Sequence, residues 1–157
     1  MTAARMSNLA ARRRSVSSRG AAKYAVERRQ GETKRAVLKG LIGYNRSKLG
    51  KRGHATLTVS IRNRKGAIAG GLVGSIWLDW LYVNLVFIDD RYRGGGAGRR
   101  LITTAEEEAR RRGATHVYLD SFTFQAPDFY KKLGYREFGR LQDFPPGHDR
   151  VFLTKAL

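Results

Sequence analysis

Six consecutive residues, Arg93-Gly94-Gly95-Gly96-Ala97-Gly98, carry the clearest chemistry in this chain. They follow an apolar run, Trp80 to Ile88, and precede an amphipathic stretch, Arg99 to Arg112. The run reads as a strand and the stretch as a helix. Glycines at such a junction let successive backbone N–H groups converge on one point. That point lies at a helix N-terminus, where the dipole favours negative charge. The loop therefore reads as a phosphate cradle suited to a pyrophosphate-bearing cofactor. Its spacing excludes two common cradles. A Walker loop needs Lys and then Ser or Thr after its last Gly, and here Arg99 and Arg100 follow Gly98. A dinucleotide fingerprint needs G-x-G-x-x-G/A, and the sixth position is Arg99 or Leu101, depending on the start. A plain helix cap would not need four glycines in five residues.

The elements that must hold this loop can be read on either side of it. Lys23 to Arg28 alternates weakly and is expected to form a first strand. Glu32 to Asn45 places Val37, Leu38, Leu41 and Ile42 at helical spacing, and Tyr44 to Gly50 reads as its end or as a second short helix. Thr56 to Ile61 is a β-branched strand, Asn63-Arg-Lys-Gly66 supplies hairpin chemistry, and Ala67 to Leu78 returns. Gly70, Gly71 and Gly74 in that return suggest a bulge or a close backbone approach. Leu81 to Ile88 feeds the loop. In the helix after it, Leu101, Ile102, Ala105 and Ala109 form the inward stripe. Glu106, Glu107 and Glu108 are expected to pair with Arg110, Arg111 and Arg112 at i,i+4, and Gly113 is the stop. Val117 to Asp120 is then a strand parallel to the one before the helix, completing a right-handed βαβ unit. Pro127 opens a short helix ending at Gly134, and Tyr135 to Leu141 and Val151 to Leu157 read as the last strands.

Composition limits the partners and the chemistry. The 157 residues suffice for one ordinary domain with a core. No cysteine is present, which excludes disulfides, thiol nucleophiles and Cys-based zinc sites. His54, His116 and His148 lack metal-ligand spacing, so no metal is expected. No apolar run is long and clean enough to span a bilayer, since Asp79 and Asn84 interrupt the longest one. A cytoplasmic location is expected. The net charge of +18 is segregated: residues 1–65 hold 18 Lys+Arg against 2 Asp+Glu, and residues 66–157 hold 13 against 11. Such a block reads as a solvated basic face or an arm for polyanions. Residues 1–20, with Arg12-Arg13-Arg14 and no acid, read as a basic, flexible tail. An organelle transit peptide has the same composition. Residues 21–157 read as the folded domain.

Two motifs together resemble the GNAT superfamily of acetyltransferases. Arg93, Gly96 and Gly98 match that family's Arg/Gln-x-x-Gly-x-Gly/Ala signature in register. Phe129, Tyr130, Leu133, Gly134 and Tyr135 match its later aromatic-Tyr-x-x-Leu-Gly-aromatic segment. The resemblance covers roughly residues 22–157. It implies an α/β (mixed α+β) fold with a central mixed, mostly antiparallel sheet and one parallel βαβ unit. A splay between the two central strands and helices on both faces are implied with it. It also implies acetyl-CoA as cosubstrate, its pyrophosphate held by the amides of Gly94, Gly95, Gly96, Ala97 and Gly98 with Arg93 and Arg99 nearby. The pantetheine arm would lie along Val86, Phe87 and Ile88 like an added strand. One departure stands out. Many members have Asn seven positions before the helix Tyr, where this chain has Thr123, and Gln125 is the residue that would take over that contact.

Acetyl transfer requires a neutral amine, a stabilised carbonyl oxygen and a protonated leaving thiol. A backbone N–H near Ile88 is the candidate oxyanion donor. Tyr130, which also borders the cofactor, is the candidate general acid, its alternative being a packing role. The base is less specified. Asp79, Asp120, Asp143 and His148 are candidates, each of which could instead satisfy backbone groups at element ends. Asn84 stands where some relatives place a carboxylate, and an amide cannot act as a base. Tyr44 to Lys48 and the loop Asp143 to Asp149 are expected to grip the acceptor, a primary amine of a small molecule or a peptide. The alternative reading is an acetyltransferase-fold protein docked on RNA, a ribosome or an acidic partner through its basic N-terminal region, residues 1–65. Homodimerisation is common in relatives.

Overall fold

A computed structural model describes residues 22–51 and 53–157 of the chain. The basic tail expected over residues 1–20 lies outside the described residues. The chain divides into two units between Ile42 and Gly43, and the second holds every strand.

Helix α1 runs unbroken from Gly31 to Leu49, joining the two helical segments expected there, and buries none of its residues. The strand expected over Lys23 to Arg28 does not form, and residues 22–30 carry no strand. The segment offers only Tyr24 and Val26 as apolar residues among charges, and both are almost fully exposed. With so little apolar surface to bury, nothing offsets the entropy of ordering a strand.

The second unit is built on a six-stranded sheet in the order β1-β2-β3-β4-β6-β5. Its strands are β1 (His54–Arg62), β2 (Ile68–Trp77), β3 (Trp80–Ile88), β4 (His116–Phe122), β5 (Arg136–Leu141) and β6 (Arg150–Ala156). All neighbours are antiparallel except β3 and β4. Two helices interrupt this order, α2 (Ala97–Arg111) between β3 and β4 and α3 (Pro127–Lys131) between β4 and β5. The β1–β2 hairpin closes as its turn residues require. Asn63 Oδ1 accepts the amides of Lys65 and Ala67, and Gly66 takes a positive φ. Gly74 in β2 is required by proximity, since a Cβ there would stand 2.5 Å from the carbonyl oxygen of Tyr82.

One face of the sheet packs against α2. Leu57, Leu72, Ile76, Leu81, Val117, Leu119 and Leu153 meet the stripe of Leu101, Ile102, Ala105 and Ala109, and all are nearly inaccessible to solvent. Each such leucine contributes about 2 kcal/mol. The opposite face carries rings: Trp80 stacks on His116 at 4.5 Å between centroids and Tyr82 on Tyr118 at 4.8 Å.

The acidic run of α2 keeps the expected i,i+4 pattern only at Glu108–Arg112; Glu107 does not pair with Arg111, which turns to Glu108. Glu106 instead turns inward, only 4% exposed, accepts the Tyr135 hydroxyl at 2.8 Å and receives Lys155 Nζ on both oxygens. The reason is helical geometry: Glu106 lies four residues after Ile102 and so shares the buried stripe.

Candidate active site

The site exists because β3 and β4 part company. They pair from Trp80↔His116 only as far as Val83↔Leu119. Beyond that point β3 continues to Ile88 and β4 to Phe122 without bonding each other. The divergence begins where β3 takes up an extra residue against β2: Gly74 pairs with Val83 but Val73 with Leu85, leaving Asn84 between. A bulge bends and twists its strand, and here it turns β3 away from its parallel neighbour. The gap opens into a cleft of about 1020 Å³.

The glycine loop forms one end of this cleft. Gly94 and Gly96 both adopt left-handed φ, +84° and +79°, which residues with a Cβ rarely reach. No side chain caps α2, although Gly96 is its N-cap, and the first helical bond runs from the Arg100 amide to Gly96 O at 3.0 Å. The amides of the first turn are thus left for an anion. No acid lies in that turn. A Cβ at Gly94, Gly95 or Gly96 would meet nothing within 4 Å, so these glycines face open space. At Gly98 a Cβ would press on the Phe129 ring at 3.0 Å, and that tight contact seats the start of α2 against α3. Arg93 braces the loop. Its Nε donates to the carbonyl of Ile88 at 2.8 Å and Nη1 pairs with Asp90 at 2.7 Å. This donor set fits a diphosphate.

Most of the residues predicted to meet the cofactor line this cleft: Val86, Phe87, Ile88, Arg93, Gly94, Gly96, Gly98, Arg99, Gln125 and Tyr130. Gly95 and Ala97 are in the loop but not in the lining. Gln125 uses its side-chain oxygen to accept the amide of Phe122 at 3.0 Å, closing the turn after β4. Thr123 is engaged elsewhere, its hydroxyl accepting the Asp149 amide at 3.0 Å.

Tyr130 reaches the cleft from the α2 side. Its ring stands edge-on to Tyr135, which is bonded to Glu106 of α2. The residue is 8% exposed, and its hydroxyl donates to none of the described residues. Burial pushes the phenol up to about 12, so it remains protonated throughout the physiological range. Asp120 lies on the other face, one residue past the last β3–β4 pair, and is the single carboxylate of the lining among the described residues. It receives Arg150 Nε at 2.7 Å. Desolvation and then the Asp120 charge raise the Tyr82 phenol beside it.

The remaining candidates stand apart from the lining. His148 packs edge-on against Phe124, a lining residue, at 5.0 Å. The loop it belongs to is held by internal bonds: the Gly147 amide reaches the Asp143 carboxylate, and the Asp143 amide reaches Asp149. Phe144 of that loop touches Phe122 at 6.2 Å. Tyr44 to Lys48 do not line the cleft either. Asp79 binds Thr115 at the opposite end of β3, about 13 Å from Val83, the nearest lining residue of that strand, at the usual rise per residue. Sequence reasoning missed Arg150 and Tyr82. Their placement follows from the pairing of β4 with β6 and with β3, contacts between segments distant in sequence. The strand alternation Arg150, Phe152, Thr154 was the available signal.

A sheet that splays at one parallel pair, with a glycine loop opening the connecting helix, defines an acyl-coenzyme A-dependent transferase. Comparison with known proteins agrees. Residues 23–135 match the model of the Acetyltransferase (GNAT) family. The chain is 35% identical over 124 residues to the acetyltransferase Atu2258 of Agrobacterium fabrum, 79% of this chain and 90% of that one. It is 43% identical over 94 residues to the blasticidin-S acetyltransferase of Streptomyces morookaense, 59% of this chain and 69% of that one. A crystal structure of an acetyltransferase from Bacillus cereus superposes with a TM-score of 0.79 at 34% identity, covering 85% of this chain and 98% of its own. The chain belongs to the GNAT family of acetyltransferases, and acetyl-CoA is its acyl donor. No described helix is long and apolar enough to cross a membrane.

Proposed function

We propose that the protein transfers an acetyl group directly from acetyl-CoA to a primary amine of a small molecule, with Tyr130 as the general acid. The observation that carries this reading is the Tyr130 hydroxyl. It has no partner among the described residues, its ring is buried, and it borders the same cleft as the glycine loop. The bound thioester supplies an activated acetyl group, and the protein's own groups do the rest. Amides of the first turn of α2 hold the diphosphate, with Arg99 beside them. The unpaired edge of β3 from Val86 to Ile88 holds the arm, and an N–H near Ile88 stabilises oxyanion charge. Tyr130 gives its proton to the departing sulfur.

The phenol's position of about 12 sets the cost of that last step. Against an ordinary thiol of pKa about 8.5 the gap corresponds to about 5 kcal/mol. A thiolate leaving inside the same desolvated cleft is also raised, which narrows the gap. Asp120 faces the amine from the opposite side of the sheet. Held by Arg150, it orients the amine, whose proton passes to water. His148, at the rim on Phe124, is the second group available to that path.

The relative that acts on blasticidin S supports a soluble, amine-bearing natural product as acceptor. The test is thiol release from acetyl-CoA with a panel that includes blasticidin S, alkylamines, amino acids and a peptide N-terminus. Acceptor-dependent release with at least one small amine is expected. Release no faster than hydrolysis with every member would remove the reading.

A further inference from the structure

We infer that Arg150 is the specificity element of the acceptor side, built to take a carboxylate carried by the amine substrate. The inference rests on the acetyltransferase reading above and names the class of its acceptor: amino acids and related zwitterions rather than plain amines.

Arg150 opens β6 and faces Phe122 of β4 across the ladder. Its guanidinium is fixed on three sides. The Phe122 and Phe152 rings stand 5.6 and 5.4 Å from it, and Asp120 accepts its Nε at 2.7 Å. Asp120 in turn lies beside Tyr82. The two Nη nitrogens are left over. They donate to none of the described residues, yet the side chain is only 31% exposed and lines the cleft. A guanidinium held over two rings and bonded along one edge to a carboxylate has little rotamer freedom left to lose. What it presents is a rigid planar fork, and the matching partner is a planar group with two oxygens.

Position and charge favour a carboxylate on the acceptor over the coenzyme as that partner. The loop that receives the diphosphate opens α2, whereas Arg150 sits on β6, beyond β4 in the sheet order. It lies on the face of Asp120, from which the amine approaches. Asp120 and Arg150 together then present one negative and one positive group to an acceptor carrying one of each.

The test compares ω-amino acids of increasing chain length with n-alkylamines of the same lengths. Binding to the coenzyme A-loaded protein is read by calorimetry, and turnover separately by thiol release. At least one chain length is expected at which the amino acid binds about ten-fold or more tightly than its alkylamine, as charge-assisted hydrogen bonds would give. In Arg150→Met that ratio should fall to about one, and Arg150→Lys, which keeps the charge without the fork, should lie between. Alkylamines binding as well as amino acids throughout, or a preference that survives in Arg150→Met, would overturn the inference. A carboxylate preference in binding without any acetyl transfer would instead overturn the proposed function alone.

Discussion

Among single residues, Tyr130 carries the most weight in the proposed transfer. Its ring belongs to the core and its hydroxyl borders the cleft, so in the proposed mechanism one side chain would serve packing and chemistry at once. Replacement by Phe keeps the packing and removes the proton. The expected result is a fall in kcat of about 10²-fold or more at every pH from about 6 to about 9, with little change in the KM for acetyl-CoA. The sign of the pH dependence follows from the phenol's position at about 12. Tyr130 stays protonated across that range and contributes no alkaline decline. The rate of the unaltered protein should therefore rise with pH as the acceptor amine, of pKa about 10.4 for an alkylamine, loses its proton. Steady-state kinetics on both proteins across this range make the check. An unchanged kcat in Tyr130→Phe would assign the residue to packing alone.

At the scale of elements, the helix after the glycine loop does two jobs from its two ends. In the proposed mechanism its first turn would offer amides to the cofactor, and its middle anchors the surroundings of Tyr130. Glu106 joins α2 to Lys155 of β6 and to Tyr135, whose ring is edge-on to Tyr130. Breaking such a buried pair from one side leaves an uncompensated charge. Glu106→Leu should therefore cost about 3 kcal/mol of stability, read as a lowered urea midpoint. A loss under about 0.5 kcal/mol, the size of an ordinary surface change, would show that the network carries no weight. Local patterns announced most of these elements. The Asn63–Gly66 turn, the β-branched run of β1 and the Leu101–Ala109 stripe are short-range signals, and each appears where expected. Glu106 was not legible as a buried acid because its partners come from β6 and from the turn after α3. The strand expected at Lys23–Arg28 failed for the converse reason: local alternation existed, but no neighbour was there to pair with it.

At the scale of the whole molecule, the cleft is a product of topology. One parallel pair in an otherwise antiparallel sheet needs a crossover helix, and that helix begins at the glycine loop. The splay between the pair then faces the loop's amides. The loop, Tyr130 and the parallel unit were legible because their motifs are contiguous in sequence. The grouping of Tyr82, Asp120 and Arg150 was not, because they come from three strands and only the sheet brings them together. Charge acts at this scale too. With a net +18, the protein attracts any polyanion at low salt, so coenzyme uptake must be measured where such attraction is screened, at a Debye length of about 8 Å. The decisive experiment is calorimetric titration of acetyl-CoA into the purified protein at that ionic strength. Saturable uptake of one equivalent per chain is expected, because backbone amides in a fixed loop are far less sensitive to screening than surface charge. No detectable uptake would contradict the assignment of the glycine loop, and with it the account of the cleft.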